Sequence, residues 1–361
     1  MDIRLIDPFL PDRRKLDRYL DRIYSSSILS NSGPLYEELT ERLTEYFSVN
    51  NLLLVANGTL ALQVAYKALG LKQPGIEAVT TPFTFVATAG SLAWEGLKPI
   101  FADICSQSLC LDPRKVEPQI TDRTRLILPV HVYGQACDLK ALDELSRKYD
   151  LRLIYDASHA FNVRVGTKGI MAFGDASTIS FHATKLFQTG EGGAVAFRRE
   201  EDFLRAKEII NFGLTRDGKH NQLGINAKLS ELNAAMGLAV LDSINEIEER
   251  RQDAIDHYVS KLKDVVSLLP ASTTSSRPCS YMPVIFESEL KLERAVKVLS
   301  SKDIATKRYF YPSLNQVDYI GDSRSCPISE DFASRTLCLP LHHKLSKSNI
   351  DRISRAIKTA V

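Results

Sequence analysis

The chain has 361 residues, 44% hydrophobic and 25% charged, enough for a substantial core and one large plus one smaller domain. Its 46 basic and 44 acidic residues leave a formal charge of +2, too weak a field to draw nucleic acid or an anionic membrane. No stretch approaches the roughly 18 consecutive apolar residues of a membrane helix. The charged start MDIRLIDPFLPDRRKL also lacks a signal-peptide core. Six scattered cysteines without a CxxC pair predict free thiols in a reducing cytoplasm, and seven histidines without HxxxH or HExxH predict no metal site.

In chain order, Pro8 and Pro11 break the start, Lys15–Tyr24 reads as a short helix and Ser25–Ser32 as a polar loop. Pro34 suits a helix start because its missing donor would be unpaired there anyway. Leu35, Leu39, Leu43 and Phe47 recur at near-helical spacing, which predicts an amphipathic helix to Phe47. Leu52–Val55 is a buried strand that runs through Ala56-Asn57-Gly58-Thr59 into a helix, Leu60–Leu69, stopped by Gly70. Such a strand, small-residue turn and helix start form either an anion site or an ordinary tight turn.

Ala78–Thr81, Lys98–Ile104 and Arg125–Tyr133 read as further strands, and Leu139–Tyr149 as a helix. Phe85 lies just past the first of these strands, where an aromatic either lies against a flat ligand or fills core. Leu151–Tyr155 is another buried strand with Asp156 at its carboxyl end, where open α/β sheets place their ligands. Ala176–His182 delivers Lys185 just past its own end, and Gly190, Gly192 and Gly193 around Glu191 allow a turn into the strand AVAF. A carboxylate and an amine held on neighbouring strand ends can serve a Schiff-base cofactor.

After Phe197 come a charged helix, Glu200–Ile210, and a polar loop, Asn211–Asn226. A helical region from Leu229 to Val265 is long enough that it should bend or break, and should bridge two domains. Beyond it, apolar runs at Tyr281–Phe286 and Leu337–Leu341 alternate with helices at Glu289–Ser300 and Ser348–Thr359. The predicted architecture is α/β: a mostly parallel mixed sheet flanked by helices in residues 1–240, and a small α+β domain in 241–361.

DASHA, GD, SFHATK and GEGG, in that order, resemble the DegT/DnrJ/EryC1/StrS family of sugar aminotransferases, most of all its members that aminate a nucleotide-linked 4-keto-6-deoxyhexose. The resemblance implies the fold-type I (aspartate aminotransferase-like) architecture and pyridoxal 5'-phosphate as cofactor. It implies that Lys185 is the catalytic Schiff-base lysine, that Asp156 holds the pyridinium nitrogen, and that Phe85 covers the ring. Gly58, Thr59 and Ser180 would seat the phosphate. His159 stands where most relatives carry glutamine, beside the ring hydroxyl.

Asn226, in GINAKLSEL, would reach the phosphate across a subunit interface, which implies a homodimer with shared sites. Lys228 stands where many relatives have arginine. Ser32, Gly33, Lys228 and Tyr311 are the expected substrate contacts. The implied reaction moves an amino group, with L-glutamate as donor, to a nucleotide-linked keto sugar such as dTDP-4-keto-6-deoxy-D-glucose. A 3-keto or a GDP- or UDP-linked sugar is the nearer alternative, and a non-catalytic cofactor-binding regulator the more distant one.

Overall fold

The computed structural model describes residues 2–215, 217–270, 275–320 and 323–361. The apolar runs of its first two hundred residues become strands β1 (Leu52–Val55), β2 (Glu77–Thr80), β3 (Lys98–Phe101), β4 (Thr124–Leu128), β5 (Arg152–Asp156), β8 (Ala176–Ser180) and β9 (Gly193–Phe197). A short hairpin, β6 (Arg164–Val165) and β7 (Lys168–Gly169), stands apart and was not anticipated. The seven form one sheet in the order β1-β9-β8-β5-β4-β2-β3. Neighbours from β8 to β3 are parallel, whereas β9 runs antiparallel to both β1 and β8. Sequences such as LLLV carry no polar alternation because both faces of the sheet are covered, and all four of those residues are buried.

Three strands are shorter than expected, ending at Phe101, Leu128 and Ser180. For β4 the cause is visible: Pro129 follows Leu128 and has no N–H to give to a ladder. The freed backbone at these carboxyl ends forms the loops in which the chemistry-bearing side chains stand.

The long helical region breaks, as its length required, into Glu231–Leu241 and Ile244–Leu262. The first packs against the helices Arg13–Ser26 and Pro34–Phe47. Gly237 makes that approach possible: a Cβ there would stand 2.7 Å from Thr189 Cγ2 and 2.8 Å from Leu39 Cδ2. The same helix thus braces both the amino-terminal helix and the loop that follows Lys185.

Strands β10 (Ser267–Leu268), β11 (Met282–Ile285) and β12 (Thr336–Leu339) make a separate antiparallel sheet. It is accompanied by the helices Glu289–Ser300 and Lys347–Ala360, which pack on one another. The start of the chain departs from the expected grouping. Ile3 bridges to Ile304, and Leu341 donates its N–H to the carbonyl of Leu5 at 3.1 Å, so these first residues bond to the carboxyl-terminal unit. We propose the break at Asp242-Ser243 as the junction of the two units. Among the described residues no helix is long and apolar enough to cross a membrane.

Candidate active site

The site is built at the carboxyl ends of β5 and β8. Asp156 closes β5, only 5% exposed, and its carboxylate has two donors. Thr88 Oγ1 donates to Oδ2 at 2.8 Å and the Ser158 N–H to Oδ1 at 3.0 Å. Thr88 lies in the first turn of the helix Val86–Trp94 and is itself fixed by Thr84 at 3.0 Å. That helix and both threonines escaped the sequence reading. A buried carboxylate is costly unless its oxygens are hydrogen-bonded, and these two donors meet that need.

Lys185 follows β8 on a tight loop in which its N–H donates to the His182 carbonyl at 2.8 Å. Its amine reaches the Tyr281 hydroxyl at 3.3 Å. Burial lowers the amine from its ordinary value to about 8, against the pull of Asp156, which raises it. An appreciable fraction is therefore unprotonated near neutral pH, as a lysine needs to be to act as nucleophile or base. Tyr281 immediately precedes β11 of the carboxyl-terminal sheet. No local pattern in the sequence marks it.

His159 is buried beside them. Its ring stacks on Phe310 at 5.6 Å and meets Tyr281 edge-on at 4.8 Å. The Tyr133 N–H donates to Nδ1 at 3.3 Å, so the neutral ring carries its proton on Nε2. Tyr133 delivers that N–H from a left-handed conformation (φ 54°).

The turn after β1 has the features of an anion seat. Asn57 caps the helix Gly58–Ala68 by accepting from the Leu60 N–H at 2.8 Å, while the first-turn N–H groups of Gly58 and Thr59 have no intrahelical acceptor. Gly58 lies flat against β8: a Cβ on it would come within 2.8 Å of Ser180 Cβ. Glycine is thus required where the helix end approaches Ser180, and two of the expected phosphate contacts, Gly58 and Ser180, are brought together. Thr59 is exposed beside them.

Phe85, at the start of the helix that carries Thr88, is 51% exposed, whereas its neighbour Phe83 is fully buried against Phe310. The core-packing alternative therefore describes Phe83 and not Phe85.

The remaining candidates do not gather at Lys185 within the chain. Ser32 is exposed at φ 60°, and Gly33 packs on Glu231, whose carboxylate caps the helix Pro34–Phe47 through the N–H groups of Leu35 and Tyr36. Asn226 is exposed, with its backbone bridged to Asn211. Lys228 donates to Asn211 Oδ1 at 2.9 Å and lies over Phe212. Tyr311 is covered by the Arg308 guanidinium, 3.4 Å from its ring centre.

The site's buried histidines make stability pH-dependent. Burial pushes His131 down to about 3; burial, then the Lys185 charge and His131, hold His159 well below its ordinary value. Below pH 6.5 the unfolded chain binds protons at both positions that the folded protein refuses. Stability of the cofactor-free protein should accordingly fall on acidification from pH 6.5 to 5.5, approaching roughly 1.4 kcal/mol per pH unit for each histidine. Denaturant unfolding at the two pH values measures it, and a flat or rising stability contradicts the assignment.

The family model for DegT/DnrJ/EryC1/StrS aminotransferases matches residues 12–358. A Shigella dysenteriae protein named dTDP-4-amino-4,6-dideoxy-D-glucose transaminase is 38% identical over 99% of this chain and 98% of its own length. A Vibrio cholerae GDP-perosamine synthase is 28% identical over 94% of the chain and 95% of its own. Among solved structures, DesI in the presence of its TDP-sugar product superposes with a TM-score of 0.93 at 32% identity, covering 99% of this chain and 92% of that one. The chain belongs to the DegT/DnrJ/EryC1/StrS family and is a pyridoxal-phosphate-dependent sugar aminotransferase.

Proposed function

We propose that the protein transfers the amino group of L-glutamate to dTDP-4-keto-6-deoxy-D-glucose, yielding dTDP-4-amino-4,6-dideoxy-D-glucose. The observation that carries the reading is a lysine amine lowered to about 8, set with a buried, doubly hydrogen-bonded Asp156 at adjacent strand ends. Similarity to a transaminase named for that product supports the choice of sugar.

Pyridoxal phosphate fits the residues present. The helix end at Gly58-Thr59 offers free N–H groups to a phosphate, with Ser180 against it because Gly58 has no Cβ. Asp156 offers a carboxylate to the protonated ring nitrogen, His159 an Nε2–H to the ring hydroxyl, and Phe85 an open aromatic face. When bound, the cofactor supplies an aldehyde that accepts an amino group and a ring that takes up an electron pair.

In the donor half of the reaction the free Lys185 amine takes the proton from the α-carbon of glutamate. In the acceptor half, Lys185 Nζ returns a proton to C4 of the sugar. Asp156, held in place by Thr88 and Ser158, would face the ring nitrogen and hold it protonated. His159 stays neutral, so it orients without adding a second positive charge beside Lys185.

Shared sites in a homodimer belong to the same reading. The loop 211–226 exposes Phe212, Leu223 and Ile225 beside Asn226, an apolar surface suited to a second copy that would receive that asparagine. Its setting is the cytoplasm, in keeping with cysteines that form no disulfide among the described residues. Ser32, Gly33, Lys228 and Tyr311 are the proposed sugar-nucleotide contacts.

Incubation with glutamate and a panel of keto sugar nucleotides, followed by mass and NMR identification, tests the sugar. The expected product is the dTDP-linked 4-amino sugar with an equatorial or axial amine assigned by coupling constants. Exclusive turnover of a GDP-linked or a 3-keto sugar overturns the choice of acceptor; relatives carrying such names make these the informative controls.

A further inference from the structure

Tyr281 has no part in the expectations above, yet its hydroxyl is the one side-chain group hydrogen-bonded to the Lys185 amine among the described residues. Three rings hold its own ring in place: His159 at 4.8 Å, Tyr309 at 5.8 Å and Tyr133 at 5.9 Å, all at steep angles. Its backbone is pinned too. Arg251, buried on the helix Ile244–Leu262, donates Nη1 to the carbonyls of Cys279 and Ser280 at 3.4 and 3.2 Å, immediately before Tyr281. A hydroxyl carried by the carboxyl-terminal sheet is thus fixed against an amine carried by the large sheet.

We propose that the Tyr281 hydroxyl docks the Lys185 amine whenever that amine is free, and so positions it between the two proton transfers. The inference rests on the transaminase reading and adds a residue to it. A phenol suits this task because it both accepts and donates. It accepts from the ammonium once Lys185 has taken a proton, and donates to the amine lone pair once the proton has left. Burial raises the phenol itself, so it stays un-ionised in both states. A carboxylate in its place would only accept, and would trap Lys185 in the charged form. The groups facing the amine are then Asp156 from β5, which favours the ammonium, neutral His159 from the loop after it, and Tyr281, the residue just before β11.

Tyr281→Phe separates this role from simple packing, since it keeps the ring and its three aromatic contacts and removes only the hydroxyl. Two measurements on the wild type and the variant decide. The first adds pyridoxal phosphate to cofactor-free protein and follows the initial rate of imine formation against pH, which rises with the unprotonated fraction of Lys185. The wild type should show a midpoint near 8. The charge-assisted bond to the ammonium is the stronger of the two, so its loss should move the variant's midpoint down by about one pH unit. The second measurement follows bleaching of the loaded protein by glutamate, which should slow about ten-fold, the loss of one hydrogen bond to a charged group.

An unchanged midpoint overturns the proposal, whether or not bleaching slows, because a packing defect alone would leave the titration where it was. A wild type that never colours, or colours and does not bleach, speaks against the transaminase reading instead, and is seen without the variant.

Discussion

Lys185→Ala is expected to give a folded protein that neither turns yellow with pyridoxal phosphate nor turns over, with activity down by roughly 10⁴-fold, the upper end of what a positioned proton-transfer group contributes. The size of the effect follows from having no substitute. Among the described residues the only side chain bonded to the amine is Tyr281, whose hydroxyl is raised by burial and cannot serve as base near neutral pH. His182 lies on the same loop but its ring is engaged with Thr184 and Glu191. The fold should survive, because the loop is held by main-chain bonds such as Lys185 N–H to the His182 carbonyl and Ala183 N–H to the Gly190 carbonyl. Visible spectra and steady-state rates of the purified variant test this. A yellow variant with near-normal turnover removes Lys185 from the mechanism.

Asp156→Asn should be nearly as costly, and for a different reason. The substitution keeps the shape and can keep both bonds: the amide oxygen accepts from the Ser158 N–H, and the amide NH2 faces Thr88 Oγ1, a hydroxyl free to turn and accept. Only the charge is lost. Without it the ring nitrogen is no longer held protonated, and turnover should fall by roughly 10²- to 10³-fold, as when a preorganised charge-stabilising group is removed. Asp156 is also the one charge that raises the Lys185 amine, so the coloured protein should form with a midpoint below about 8. The two readouts must move together. A slower enzyme with an unmoved midpoint would mean that Asp156 does not face Lys185, and normal kcat would mean that it does not serve the ring.

Much of the large unit was legible because its strands are short apolar runs bounded by glycine, proline and turn residues, a pattern set by burial on both faces of the sheet. The placement of Asp156 and Lys185 followed from the same pattern, since a residue just past a buried strand stands at the sheet's carboxyl edge. The break in the long helical region was likewise predictable from its length alone. What stayed hidden depends on contacts distant in sequence. Tyr281 lies 96 residues from Lys185, and no local pattern links the two. Glu231 caps a helix nearly two hundred residues earlier because Gly33 has no side chain to do so. Thr88 was nearer to hand, three positions after Phe85, but its helix is short and apolar almost throughout, leaving no periodic signal. Asn226, Ser32 and Tyr311 are exposed, and their proposed roles depend on the proposed homodimer and not on any contact within the chain.

The central claim is that Lys185 mediates amino transfer from an amino acid. It is tested most directly by adding L-glutamate alone to the purified, cofactor-loaded protein. Visible absorbance and 2-oxoglutarate should change together: the yellow colour disappears and 2-oxoglutarate appears in stoichiometric amount, with no sugar present. Colour that persists with glutamate and with every other common amino donor would contradict the account.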